Sequence, residues 1–271
     1  MRVDEHTITL DQAPVFYRQA SCTGTPALYL HGIPTSSDDW TAFLERTGGI
    51  APDLPGFGRT SKAGNLDYSI EGHAEFVERL LSELGVARVQ LVMHDWGAGG
   101  GLVFAQRHPG RIERLVLCNA LPLLDGFRWH GIGRNLRRVG VGEALMGSVP
   151  RWLFARLLRS GCVRPDAWSD AAITAIWGYY DQGTQRALLR LHRASDEAHL
   201  AAAGARLSAL GMPALVIWGE RDPWLDAKFA DAYGARLAHA QVQRITDAGH
   251  WPWLDDPSVV ERVAAFLEPS Q

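Results

Sequence analysis

An aspartate occupies the most chemically suggestive position in this chain. Asp95 lies just after the apolar run 89–93, and small residues from Gly97 onward follow it. This pattern predicts a strand that turns sharply into a helix and presents the side chain at the turn. A carboxylate cannot perform the acyl chemistry of a serine esterase, but it can attack a saturated carbon and form an ester that water later cleaves. We therefore interpret Asp95 as a candidate nucleophile.

An acid and a histidine later in the chain could complete a hydrolytic site. Asp222 follows the predicted strand Ala214–Trp218, and His250 lies 28 residues further on, after the predicted strand Val242–Ile245. A carboxylate can hold an imidazole in the tautomer that deprotonates water. Aspartate is also a common turn former, however, and a loop histidine on its own usually has no catalytic role. The roles of these two residues therefore depend on the fold.

Short strands alternate with helices along most of the chain. The strands are predicted at 7–10, 15–19, 27–30, 50–53, 89–93, 115–118, 214–218 and 242–245, and helices up to Glu45 and at 70–84 and 102–108. Such alternation is typical of an α/β fold with a mostly parallel sheet and helices on both faces.

The alternation stops between residues 122 and 205. This segment has helical patterns rich in arginine and tryptophan but no run typical of a strand. We predict a core domain formed by residues 1–121 and 206–271, and an inserted helical cap, here called the lid, formed by residues 122–205. Inserted after the sixth strand, the lid would cover the carboxyl edge of the sheet, where such sheets bind ligands.

Composition sets the general class of the protein. With 271 residues, 46% of them hydrophobic, the chain can form one large domain with an insertion. The first residues lack an apolar signal core, and no stretch approaches the roughly 18 apolar residues of a membrane span, so we expect a cytoplasmic protein with no membrane contact. Three cysteines without metal-ligand spacing indicate neither a disulfide framework nor a zinc site.

The charge distribution excludes one class of partner. A net charge of −3 gives no basic footprint for a nucleic acid. The segment from Pro122 to Ala205 holds eleven arginines and seven acidic residues, which leaves the rest of the chain at −7. This excess could favour anionic substrates, but solvated helix faces are the preferred interpretation.

Five motifs in a fixed order carry a family resemblance over nearly the whole chain. The chain resembles the α/β-hydrolase superfamily, in particular the aspartate-nucleophile branch that contains haloalkane dehalogenases and epoxide hydrolases. The motifs are His31-Gly32-Ile33-Pro34, Asp53-Leu54-Pro55-Gly56-Phe57-Gly58, His94-Asp95-Trp96-Gly97, Gly219-Glu220-Arg221-Asp222-Pro223 and Gly249-His250-Trp251-Pro252.

The resemblance implies a role for each site residue. Asp95 is expected to be the nucleophile, His250 the base and Asp222 the acid that orients it. Some dehalogenases place the acid at the end of the sixth strand, where this chain has Asn119, so Asp222 is the better acid. The backbone N–H groups of Ile33 and Trp96 would stabilise the oxyanion, and the Trp96 indole N–H would donate to the leaving atom. No cofactor or metal is needed.

The chain departs from both subfamilies at the groups that receive the leaving atom. Dehalogenases pair the tryptophan with an asparagine in the first motif or a tryptophan in the lid, but this chain has Ile33, whose side chain cannot donate. Four lid tryptophans are available, and spacing singles out none of them: Trp129, Trp152, Trp168 and Trp177. Epoxide hydrolases carry two separated lid tyrosines, whereas Tyr179 and Tyr180 are adjacent here and would point about 100° apart on a helix.

We therefore predict a hydrolase that forms a covalent ester on Asp95, with epoxide hydrolysis to a diol ranked narrowly above dehalogenation. Tyr179, Tyr180 and Trp177 are the candidate lid donors, with His130 as a possible helper. The substrate is expected to be a small apolar or aromatic organic molecule. A catalytically silent ligand-binding homologue is the alternative from another class. Oligomeric state is left open.

Overall fold

An eight-stranded sheet lies at the centre of the computed structural model, which describes residues 1–164 and 166–268. The strands are β1 (Val3–Leu10), β2 (Ala13–Ala20), β3 (Ala27–Leu30), β4 (Gly49–Pro52), β5 (Val89–Asp95), β6 (Ile112–Ala120), β7 (Ala214–Gly219) and β8 (Ala240–Ile245). Their order is β1-β2-β4-β3-β5-β6-β7-β8. Strand β2 pairs with β1 and with β4 in the antiparallel sense, and all other neighbouring strands pair in parallel. The predicted α/β class is confirmed.

The central strands are buried along their whole length. Every residue of β5 and of β7 is buried, as expected where helices cover both faces of a parallel sheet. The helices outside the lid are α1 (Thr41–Thr47), α2 (Ile70–Glu83), α3 (Trp96–Arg107), α10 (Lys228–Arg236), α11 (Pro252–Asp255) and α12 (Ser258–Leu267). Helix α2 packs against α3, and α1 packs against α12. Because β3, β5, β6 and β7 are parallel, their carboxyl ends meet at one edge of the sheet.

Helix α3 begins earlier than the sequence predicted. It starts at Trp96 rather than Leu102, because the small residues after Asp95 form its first turns. A Cβ on Gly97 would lie 2.3 Å from the carbonyl oxygen of Leu30, and one on Gly101 would lie 2.4 Å from the sulfur of Met93. The glycines thus allow α3 to approach β3 and β5 closely.

In the described part of the segment between β6 and β7 there are six α-helices. They are α4 (Gly131–Arg137), α5 (Val141–Ser148), α6 (Arg151–Ser160), α7 (Asp170–Tyr179), α8 (Gln182–Ala194) and α9 (Glu197–Ala203). The lid contacts the loop after β4 in two places. The hydroxyl of Thr184 in the lid lies 2.9 Å from the carbonyl oxygen of Gly56 in the loop. The ammonium group of Lys62 in the loop lies 2.6 Å from the carbonyl oxygen of Tyr179 in the lid. None of the helices in the described ranges has the length and apolar character of a membrane span.

Candidate active site

The turn between β5 and α3 holds Asp95 in a strained conformation. Its φ is +46° and its ψ −121°, a region that residues other than glycine rarely adopt. Such a conformation costs about 1–3 kcal/mol and persists only where its surroundings enforce it. Gly32 is part of that enforcement, because a Cβ there would lie 2.7 Å from Asp95 Cβ.

One oxygen of the Asp95 carboxylate is already held. The backbone N–H of Ile33 donates to Asp95 Oδ2 at 3.1 Å. Burial alone would raise the pKa of Asp95, but the adjacent His250 and the Ile33 N–H favour the charged form and lower it. Asp95 is therefore an ionised carboxylate, and among the described residues its Oδ1 accepts no hydrogen bond.

His250 stands between two carboxylates. Its Nδ1 lies 2.7 Å from Asp222 Oδ2, and its Nε2 lies 3.9 Å from Asp95 Oδ2, too far for a direct hydrogen bond. Burial lowers the pKa of His250, but the charges of Asp222 and Asp95 outweigh that effect and raise it to about 10. The resting histidine is thus protonated at neutral pH.

Asp222 is fixed by three donors. Its Oδ1 accepts hydrogen bonds from the backbone N–H groups of Trp224 at 2.8 Å and Leu225 at 3.0 Å. The side-chain amide of Asn119 donates to Oδ2 at 2.7 Å. With these bonds satisfied, the carboxylate is left to orient only His250. The structure thus brings Asp95, His250 and Asp222 together.

A largely apolar cavity of about 150 Å³ opens in front of Asp95. The lid and the carboxyl edge of the sheet line it together; the lining includes Ile33, Trp96, Trp129, His130, Met146, Phe154, Tyr180, Leu188, His192 and Trp224. The lining contains no lysine or arginine, so the arginine excess of the lid does not create an anion site here. Among the described residues, no group of three or more His, Cys, Asp or Glu side chains is placed to bind a metal ion.

Comparison with known proteins places this geometry in a family. The model of the alpha/beta hydrolase family matches residues 27–263. The chain belongs to this family. A haloalkane dehalogenase of Mycobacterium marinum is 35% identical over 74% of this chain and 70% of its own length. Epoxide hydrolase 2 of Caenorhabditis elegans is 25% identical over 90% of this chain and 74% of its own.

Solved structures agree with the sequence relatives. The crystal structure of the haloalkane dehalogenase DbeA of Bradyrhizobium elkani has a TM-score of 0.84 at 26% identity, covering 98% of this chain and 97% of that one. The protein is therefore a hydrolase of the dehalogenase and epoxide hydrolase branch, as the resemblance predicted. The alternative that the chain is a catalytically silent ligand-binding homologue is not supported.

Only one of the three predicted lid donors of this α/β hydrolase lines the cavity. Tyr180 does so, and its hydroxyl donates to the sulfur of Met146 at 3.1 Å, a weak acceptor. Burial raises the pKa of Tyr180 to about 12, so the phenol keeps its proton. Trp177 stacks on Tyr180 outside the lining, and Tyr179 lies beneath the guanidinium of Arg59. The prediction that Trp177 or Tyr179 donates has no geometric support.

The lid tryptophans do not supply a free second N–H. Trp129 lines the cavity and stacks on Trp96 with ring centroids 5.4 Å apart, but its own indole N–H donates to the carbonyl oxygen of Ser195. Trp168 does not belong to the lining, and Trp152 is 66% exposed. The Trp96 indole lines the cavity, and among the described residues its N–H has no acceptor, so it can donate to a ligand there.

Two lid histidines line the cavity with opposite tautomers. Gly133 N donates to Nδ1 of His130 at 3.4 Å, so the neutral ring carries its proton on Nε2. In His192 the Nδ1 lies 2.8 Å from the carbonyl oxygen of Leu188 and must donate, which leaves a lone pair on Nε2. Burial lowers the pKa of both rings, that of His192 to about 4. His130 thus offers a donor and His192 an acceptor.

Sequence reasoning missed His192. It lies one helical turn after Leu188 on the buried face of α8, where a core histidine is the simplest interpretation. Its position against Trp96, with ring centroids 5.0 Å apart, depends on how the lid docks.

Proposed function

We propose that this hydrolase opens neutral epoxides through a covalent ester on Asp95 and then hydrolyses that ester to a vicinal diol. The observation that carries the proposal is the strained Asp95, with one oxygen held by Ile33 N–H and the other available to the cavity. Asp222 and His250 would serve the second step. The lid, residues 122–205, would enclose the substrate.

In the first step Asp95 Oδ1 attacks an epoxide carbon, and the bond from that carbon to the ring oxygen breaks. The Trp96 indole and His130 Nε2–H donate hydrogen bonds to the developing alkoxide, and the Tyr180 phenol transfers a proton to it. The side chains of His130 and Tyr180 both line the cavity together with Asp95.

Ester formation prepares the base for the second step. Because the ester removes the charge of Asp95, one of the two carboxylates that raise the pKa of His250 is lost, and the ring releases its proton. That proton restores the Tyr180 phenol, which gave its own proton to the alkoxide. Neutral His250 then deprotonates a water that attacks Asp95 Cγ, and the N–H groups of Ile33 and Trp96 stabilise the oxyanion. When the ester C–O bond breaks, the departing alkoxide takes up the proton of the new Asp95 carboxyl group, so the diol leaves with Asp95 ionised and His250 protonated again.

Epoxides fit the available donors better than haloalkanes do. A departing halide is stabilised by N–H donors alone, and here Ile33 has no polar side chain while the Trp129 N–H is occupied. The lone pair of His192 Nε2 would repel a halide. An alkoxide needs a proton, and Tyr180 retains one. The apolar lining without a cation suits a small apolar or aromatic epoxide.

Haloalkane dehalogenation by the same ester is the second candidate. It is favoured by the 35% identity to the Mycobacterium marinum protein named haloalkane dehalogenase. The Trp96 and His130 N–H groups would then be the two halide donors.

The two candidates are separated by trapping the ester. In a His250→Gln variant, alkylation should proceed while ester hydrolysis stops, so the intact mass should increase and the modified peptide should contain Asp95. An epoxide adds its whole mass, and a haloalkane adds its mass less that of the hydrogen halide. His239→Gln, at an exposed loop position, is the matched control and should accumulate no adduct. Absence of any adduct with broad panels of both substrates would refute the covalent mechanism.

A further inference from the structure

The peptide unit that joins Gly32 to Ile33 forms hydrogen bonds through both its N–H and its carbonyl oxygen. Its N–H is the one that donates to Asp95 Oδ2. Its carbonyl oxygen lies 2.6 Å from His31 Nδ1 and accepts a hydrogen bond from the Thr35 hydroxyl at 3.1 Å. Bonds accepted by a peptide carbonyl polarise the unit and make its N–H a stronger donor. The oxyanion donor is therefore linked to side chains that never contact the substrate cavity.

The protonation of His31 follows from its own partners. The backbone N–H of Leu54 donates to His31 Nε2 at 2.8 Å, so that nitrogen holds a lone pair. Burial lowers the pKa of His31, and the neutral ring must then carry its proton on Nδ1. His31 thus donates to the Gly32 carbonyl at all pH values near neutrality.

The hydrogen bond that Thr35 donates depends on the protonation state of Asp39. The Thr35 oxygen lies 2.6 Å from Asp39 Oδ2 as well as 3.1 Å from the Gly32 carbonyl oxygen, yet a hydroxyl has one hydrogen to donate. If Thr35 donates to Gly32, the short contact to Asp39 requires a proton on the carboxyl group. If Asp39 is ionised, Thr35 donates to it and the Gly32 carbonyl loses one bond.

We propose that Asp39, Thr35 and His31 form a relay that polarises the Gly32–Ile33 peptide, and that the relay is complete only when Asp39 is protonated. Asp39 and Thr35 act as positioning residues, because they reach Asp95 only through that peptide. The proposal deepens the proposed function and rests on it for its kinetic consequence, faster hydrolysis of the Asp95 ester.

The surroundings of Asp39 favour its protonated form near neutral pH. Burial raises its pKa to about 8, and the neighbouring carboxylate of Asp38 adds to the increase, while Thr35, His250 and Trp251 lower it. The Cys162 thiol also faces Asp39, and burial raises its pKa too, so it remains uncharged. The relay should therefore weaken as the pH rises through about 8.

The relay predicts different effects on the two chemical steps. A stronger Ile33 donor stabilises the Asp95 carboxylate before alkylation and the oxyanion during hydrolysis. Thr35→Val should therefore leave alkylation unchanged or slightly faster and slow ester hydrolysis about three- to tenfold, less than the roughly 10²–10³-fold loss of a whole oxyanion donor. Thr35→Ser restores the hydroxyl and should restore the rate. Equal slowing of both steps by Thr35→Val would instead indicate a general structural role and overturn the proposal.

An experiment without substrate tests the relay independently of the proposed function. The amide ¹⁵N and ¹H resonances of Ile33 should titrate with the midpoint of the Asp39 carboxyl ¹³C resonance, near pH 8. Asp39→Asn, which is neutral at every pH and can donate to Thr35, should abolish that titration, and Thr35→Val should uncouple it from Asp39. An Ile33 amide that titrates identically in wild type and Asp39→Asn would overturn the relay. If the coupling is seen but no Asp95 adduct forms with any substrate, the ester mechanism fails while the relay stands.

Discussion

Asn119 determines how the acid of the site is held. At the end of β6 it adopts a φ of +37°, a conformation that asparagine tolerates better than most residues. From there its amide nitrogen donates to Asp222, while its amide oxygen accepts a hydrogen bond from Gly219 N at 2.9 Å. The sequence predicts Asp222 as the acid, from the order of the family motifs and because position 119 has no carboxylate. The structure adds that Asn119 holds that acid in place.

A carboxylate at this position should disrupt the site. Asn119→Asp tolerates the same backbone conformation but places a second acid where a donor stood 2.7 Å from Asp222. We expect about 2 kcal/mol lower stability at pH 7 and slower ester hydrolysis. Because like charges raise the pKa of one carboxyl group of the pair, the stability loss should shrink as the pH falls towards 4.

Denaturant unfolding at several pH values measures this effect. Asn65→Asp, at an exposed position, is the matched control and should change stability little. A stability loss for Asn119→Asp that does not depend on pH would contradict the charge explanation.

At the scale of elements, the strands of the sheet could be predicted from the sequence, but the docking of the lid against the core could not. Buried strands such as β5 and β7 are short apolar runs with turn residues after them, so both their positions and their functional ends were predictable. The predicted start of α3 was wrong because a run of glycines has low helix propensity. Packing of these glycines against β3 and β5 explains why the helix nevertheless begins at Trp96. Which lid side chains reach the cavity depends on long-range docking, which leaves no local pattern; hence Trp177 and Tyr179 were proposed and His192 was missed.

The attachment of α8 to the core gives an element-scale prediction. The buried Thr184 hydroxyl lies 2.9 Å from the carbonyl oxygen of Gly56 and 3.0 Å from that of Tyr179. Thr184→Val keeps the shape but removes the hydroxyl donor that these two carbonyl oxygens share, at a cost of about 1–2 kcal/mol. We expect faster hydrogen exchange in α8 and in the loop after β4, and a higher KM with kcat little changed.

Thr174→Val provides the comparison for that variant. Thr174 is an exposed threonine of α7, so its substitution should alter neither exchange in α8 nor KM. Unchanged exchange in α8 of Thr184→Val would show that this bond does not anchor the lid.

At the scale of the whole molecule, the charges of the site couple catalysis to stability. Folding raises the pKa of His250 from its usual value near 6.5 to about 10. The resulting stabilisation is complete below pH 6.5 and is lost as the pH rises through 10. Replacing His250 by glutamine removes this contribution.

Wild type should therefore lose its stability advantage over His250→Gln between pH 7 and pH 10. We expect the difference in unfolding free energy, on the order of a few kcal/mol at pH 7, to become small at pH 10. Thermal unfolding of both proteins across this range is the measurement. A constant difference in Tm would mean that the histidine is not held charged between the two carboxylates.

The central claim is that Asp95 becomes an ester whose carbonyl carbon is attacked by water. In a single turnover in H₂¹⁸O, with enzyme in excess over an epoxide, the account predicts that the first diol contains no ¹⁸O. One ¹⁸O atom should instead appear in the peptide that contains Asp95, because the diol takes its new oxygen from the carboxylate. Label in the first diol and none in Asp95 would show that water attacks the substrate directly, and the covalent mechanism would be wrong.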